Sequence, residues 1–159
     1  MDEKRAKSIG SKQGLYAVTL GLIIAQVIMT ILSIENGIYK AIIWFYDFDD
    51  ILSICFVVPV VYLCGHLFGQ GAGKAILKRH KNFTWIGFKF GFLTLFIAVF
   101  TSSMIDFIEY GIPKIGTRGE QPFIQYMLEP MFIQTIIGTI PALLIGLWCG
   151  SAIKKRRRF

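Results

Sequence analysis

Four α-helices, each long enough to cross a bilayer, are the fold this sequence predicts, and three observations carry it. Charges are nearly absent from four blocks, at 15–34, 51–69, 86–108 and 132–153. Each block has the roughly 20 residues that span a hydrocarbon core of about 30 Å as a helix. Basic residues concentrate on alternate connections, the pattern of the positive-inside rule. Composition agrees: 54% of residues are hydrophobic, 14 are Phe and only 17% are charged, more apolar surface than a soluble domain covers. Within lipid the backbone must satisfy its own hydrogen bonds, which helices do and open sheets or loops do not. The expected class is an all-α integral membrane protein with one transmembrane domain over residues 1–159.

The elements follow in order. The first span has the basic lead Lys4, Arg5, Lys7, Lys12; its apolar run is too long for a signal-peptide core and no small-x-small cleavage site follows, so it is expected to remain as a span. The second follows "DFDD" at 47–50, where Asp49 and Asp50 are expected to precede and cap the helix and meet its dipole. The third begins after the basic stretch 78–81, with Lys89 positioned to snorkel. The fourth ends in "KKRRRF", which reads as an anchor at anionic headgroups. The segments 39–47 and 121–129, each mixing aromatic and apolar residues before a span, are expected to be short interfacial helices.

Counting from a cytoplasmic amino terminus, 14 of the 17 basic residues fall on the inner side, leaving Lys40, Lys114 and Arg118 outside. Both termini are expected in the cytoplasm, in a membrane of the bacterial inner (plasma) type, with the bilayer's anionic headgroups as the partner of the basic face. Topology thus accounts for the net charge of +7, and nucleic acid is not an expected partner. Cys55, Cys64 and Cys149 form no CxxC and no disulfide framework.

Internal similarity divides the chain into two units, about 14–81 and 88–158. "SIENGIYK" at 33–40 and "FIEYGIPK" at 107–114 share Ile, Glu, Gly, Ile and Lys at one spacing. Asp47 and Pro59 in the first unit correspond to Glu129 and Pro141 in the second, followed by the glycine pairs Gly65, Gly69 and Gly146, Gly150. A two-span unit ends on the side where it began, so its copy is parallel to it, related by an axis along the membrane normal. Small residues at four-residue spacing mark helix-packing stripes: Ala17, Gly21, Ala25; Gly65, Gly69, Gly73; Gly87, Gly91; and Gly138, Ala142, Gly146, Gly150. Pro59 and Pro141 interrupt mid-helix hydrogen bonding and are the hinge candidates.

The outer side carries eight acids against three bases, a net of −5. Asp106, inside the third apolar block, and Glu109 one turn later are the leading candidates to bind an ion or substrate, joined by Glu35 and Asp47; an acid within a span defaults to ion or proton handling. His66 and His80 have no ligand-spaced partners, so neither a metal site nor a cofactor is expected. No HExxH, GxSxG or P-loop is present, and no enzymatic activity is expected. The sequence points to a transport or permeation component for a cation or small solute, acting as a homo-oligomer. The alternative is a non-catalytic accessory subunit, of an immunity or assembly kind, with a membrane-protein partner.

Overall fold

A computed structural model describes residues 2–32, 48–116 and 121–156. Four helices dominate: α1 spans Glu3–Leu32, α2 Phe48–Gly73, α3 Phe83–Asp106 and α4 Glu129–Lys155. All four are long and apolar enough to cross a membrane. Their threonines are compatible with apolar surroundings: Thr94, Thr101, Thr135 and Thr139 each donate to the carbonyl four residues earlier, at 2.6–2.8 Å, so none of these four hydroxyls is stranded.

Helix boundaries differ from the sequence expectation in three places. α1 starts at Glu3 rather than at residue 15, giving 30 residues and a length of about 45 Å. The basic lead is therefore helix, tied down because Glu3 pairs with Lys7 one turn on and with Lys74 and Lys78 after α2. α2 begins at Phe48, so Asp49 and Asp50 lie in its first turn rather than ahead of it. The segment at 121–129 is not a separate interfacial helix: helix runs without a break from residue 122 into α4, started by Pro122 after the Gln121 carbonyl accepts from Ile124 and Gln125. The matching segment 39–47 lies outside the described residues. α3 starts where expected, capped by Asn82, whose side chain accepts from the Thr84 N–H at 3.0 Å.

The helices form a ring in chain order. α1 packs closely on α2 and α3 on α4, while α2–α3 and α4–α1 contacts close the circuit. Two seams hold the close pairs. In the first, Ala6, Gly10 and Gly14 of α1 lie against Gly73, Gly69 and Gly65 of α2; a Cβ on Gly69 would stand 2.5 Å from the Gly10 carbonyl oxygen. In the second, Phe83, Gly87 and Gly91 of α3 lie against Gly150, Gly146 and Ala142 of α4; a Cβ on Gly150 would stand 2.5 Å from the Phe83 carbonyl oxygen. Gly138 continues this seam against Leu95. On α1 the seam is thus not the Ala17, Gly21, Ala25 stripe read from the sequence. Gly21 has only Ile145 Cδ1 near it, at 3.6 Å, and Ala25 is exposed.

The end of the ring bearing both termini, the basal end, is closed by a cluster drawn from all four helices: Ala6, Ala72, Ile76, Leu77, Ile86 and Ile153. Ala6 and Ile153 are completely buried. Toward the opposite, distal end packing thins. No described side chain is buried from Thr19 to Ile31 of α1, from Ile54 to Val60 of α2, or from Glu129 to Ile145 of α4. Large apolar side chains line the outside, including Phe88, Phe92, Phe96, Phe100 and Met104 at four-residue intervals on α3. Pro59 and Pro141 sit within continuous helix in α2 and α4.

Gly69→Ala should lower the thermal unfolding midpoint in detergent, at a cost of about 1–3 kcal/mol for overpacking a closed contact. Gly21→Ala, where the added methyl makes only an ordinary van der Waals contact with Ile145 Cδ1 at 3.6 Å, should leave the midpoint unchanged or raise it. Equal behaviour of the two variants would mean that the seam does not carry the close pair.

Candidate functional site

Two prolines shape the distal end of the α3–α4 pair. A proline has no N–H to donate four residues back, and its ring crowds that carbonyl. Before Pro113 the chain widens into a π-turn, Phe107–Gly111, in which the Ile112 N–H reaches the Phe107 carbonyl. Before Pro130 it does the same over Ile124–Leu128, with the Glu129 N–H on the Ile124 carbonyl. In each case the residue just ahead of proline donates five residues back. Such turns recur at functional positions in helices.

Side chains from the two π-turns meet across the gap. Phe107 and Phe123 pack edge to face with centroids 5.7 Å apart, and the Tyr110 and Tyr126 rings stack at 6.4 Å. Lys114, just beyond the first turn, donates to the Tyr126 hydroxyl and stands 4.9 Å from that ring's centroid. The cation therefore meets both the hydroxyl oxygen and the electron-rich face of one side chain.

The acids predicted from sequence are placed as follows. Asp106 ends α3, half-buried and engaged with its surroundings. Glu109 lies in the π-turn, half-buried, with Oε2 shielded from solvent and without a hydrogen-bond partner among the described residues. Ser103, two turns earlier and fully buried, has an equally unsatisfied Oγ. Glu35 and Asp47 lie outside the described residues. Pro59 and Pro141 are mid-helix and belong to no such cluster, while Gly65, Gly69, Gly138, Ala142, Gly146 and Gly150 lie in the seams. Chemically, an enclosed carboxylate oxygen without a donor is stabilised by any proton or small cation that reaches it. Among the described residues, no three His, Cys, Asp or Glu side chains come together as metal ligands.

Sequence reasoning missed a second polar grouping, at the basal end. His66 of α2 bridges Ser11 of α1 and Gln70 of its own helix, each at 2.7 Å. The Gln70 spacing of four was visible in the sequence; the Ser11 contact, 55 residues away, had no local signal. The three cysteines are free. No protein-family model, curated protein or solved structure matches the chain.

Tyr126→Phe should keep both ring contacts but remove the acceptor of the Lys114 ammonium, costing about 1 kcal/mol in unfolding free energy. Tyr126→Ala, losing the stacking and cation–π contacts too, should cost about 1 kcal/mol more. Equal midpoints for Tyr126→Phe and wild type would exclude the hydroxyl contact as a stabilising one.

Proposed function

We propose that the chain is a multi-pass membrane protein that acts as an oligomer in the passage of a cation or small solute, with Glu109 and Asp106 at its outer mouth. The observation that carries this reading is the shielded, unpartnered Oε2 of Glu109 within the distal end of an apolar helix hairpin. An acid held so is costly unless a positive charge visits it.

Membrane insertion is supported by the apolar outer surface, which no aqueous fold would leave uncovered. The basal clustering of Lys and Arg supports a cytoplasmic location for both termini. A parallel duplication is supported by the likeness of the two seams: Gly69 meets Gly10 as Gly150 meets Phe83, and Gly65 meets Gly14 as Gly146 meets Gly87. These contacts pair Gly14 with Gly87, an offset of 73, whereas the "IE" of the end motifs, Ile34–Glu35 and Ile108–Glu109, is offset by 74. The π-turn Phe107–Gly111 begins just where this second motif does, and a π-turn holds one residue more than an α-turn. Oligomerisation is supported by the thin distal packing, where one chain's helices enclose no route of their own.

A second reading, an accessory subunit, is favoured by one observation. An open apolar groove of about 690 Å³ runs along Leu128, Met131, Phe132 and Ile133, with Glu129 at its side. Its exposed apolar lining would suit a partner's helix.

Purified protein in liposomes should carry a proton, sodium or potassium flux, and Glu109→Gln should reduce it at least tenfold. Wild-type protein moving none of these ions, while co-purifying stoichiometrically with a different membrane protein, would replace transport by the accessory reading. In a background without native cysteines, Ile115→Cys should react with an impermeant thiol reagent from outside the cell and Lys78→Cys only after lysis. The reverse pattern would overturn the orientation.

A further inference from the structure

Positive charge at the basal end is not spread evenly. One carboxylate, Glu3, holds three ammonium groups: Lys7 at 3.1 Å, Lys74 at 2.8 Å and Lys78 at 2.6 Å. Lys74, Lys78 and Lys7 together keep the Glu3 carboxyl well below the usual carboxylate range, so it stays ionised, yet the cluster retains two uncompensated positive charges. Next to it, between α1 and α2, opens a groove of about 430 Å³ lined by Lys4, Lys7, Ser8, Ser11, Lys12, His66 and Gln70. This falls within the ~300–1,000 Å³ of small-ligand sites. Among the described residues no acid pairs with Lys4 or Lys12.

The floor of the groove is ordered for donation. With the Gln70 amide nitrogen donating to His66 Nε2, the neutral imidazole carries its proton on Nδ1 and donates it to Ser11 Oγ. The Ser11 hydroxyl proton is then available to a ligand, beside the hydroxyl of Ser8. Ammonium groups at the rim and hydroxyls at the floor, with no carboxylate lining the groove, are the complement of a phosphate group.

We propose that this groove binds the phosphate of an anionic phospholipid headgroup. The choice of a lipid over a soluble phosphate rests on the membrane reading above. The groove residues of α1 lie directly before the apolar block that begins at residue 15, and His66 and Gln70 lie at the end of the block that closes at 69. That is headgroup depth, and an acyl chain anchored there would run along the exposed Leu63 and Leu67 of α2.

The experiment uses the full chain in nanodiscs containing phosphatidylglycerol and phosphatidylcholine, with the lipids retained on the extracted protein measured by mass spectrometry. Wild type should retain phosphatidylglycerol preferentially. Lys4→Gln with Lys12→Gln should weaken that retention about 30-fold, since each basic residue near the surface contributes roughly fivefold. Both side chains are exposed, so the thermal midpoint should be unchanged. Lys154→Gln with Lys155→Gln removes the same charge from the basal end outside the groove and should leave retention intact. Equal losses in the two double variants would overturn the site in favour of a diffuse basic rim. Ser11→Ala, which keeps every charge, should weaken retention severalfold; no effect would remove the hydroxyl floor from the site. Inorganic phosphate raising the midpoint in detergent, without phosphatidylglycerol preference in nanodiscs, would overturn the lipid assignment for a soluble phosphate. None of these readouts involves ion flux, so this site and the transport reading fail separately.

Discussion

Backbone-to-backbone contact along two glycine seams is the constraint from which the rest of the structure follows. On the proposed membrane insertion, helices surrounded by hydrocarbon gain nothing from hiding apolar side chains from each other, so association depends on how closely their atoms approach. At Gly10, Gly14, Gly69 and Gly73, and again at Gly87, Gly91, Gly146 and Gly150, carbonyl oxygens occupy space that a methyl group would need. This restricts the register within each pair, since the close contacts require a small residue at each crossing. It also determines what lies beside the seam. Ser11 flanks Gly10, His66 flanks Gly65 and Gln70 flanks Gly69, so close approach of the glycines forces these polar neighbours together.

The distal end is organised by a different device. There the glycine contacts have ended, and aromatic and cationic groups from two proline-widened turns make the join between α3 and α4. A proline usually marks where a helix stops. Here the cost is absorbed by one wider turn on each chain segment, and the helical path continues through Ile112–Lys114 on one side and into α4 on the other. The widened turn before Pro113 is also where Glu109 is held with one oxygen enclosed.

Much of this was legible in the sequence, for reasons that can be named. Segregated charges announce four helices because a charged residue in mid-bilayer is expensive. Gly146 and Gly150 announce a seam because small residues four apart let helix backbones approach closely. The start of α1 was not legible. Lys4, Arg5, Lys7 and Lys12 read as a basic lead ahead of the span because Lys74 and Lys78, which pair with Glu3, lie about seventy residues on. For the same reason the seam on α1 was placed at Ala17, Gly21 and Ala25, inside the apolar block, when it lies at Ala6, Gly10 and Gly14. Pro59 and Pro141 stand within continuous helix, while the π-turns ahead of Pro113 and Pro130 gave no separate signal in the sequence. His66 looked solitary because spacing arguments see only its own helix.

The basal cluster has a consequence for biogenesis. Its two completely buried members, Ala6 and Ile153, come from the first helix and the last. A ribosome delivers them in that order, separated by nearly the whole chain. The α1–α2 hairpin can form its own glycine seam early, but it must then wait with its basal end unsealed until α4 has been delivered. During that interval Ala6, Ala72, Ile76 and Leu77 form an open seat for Ile153. Order of synthesis and order of packing therefore run in the same sense, and α4 acts as the closure of a structure begun by α1.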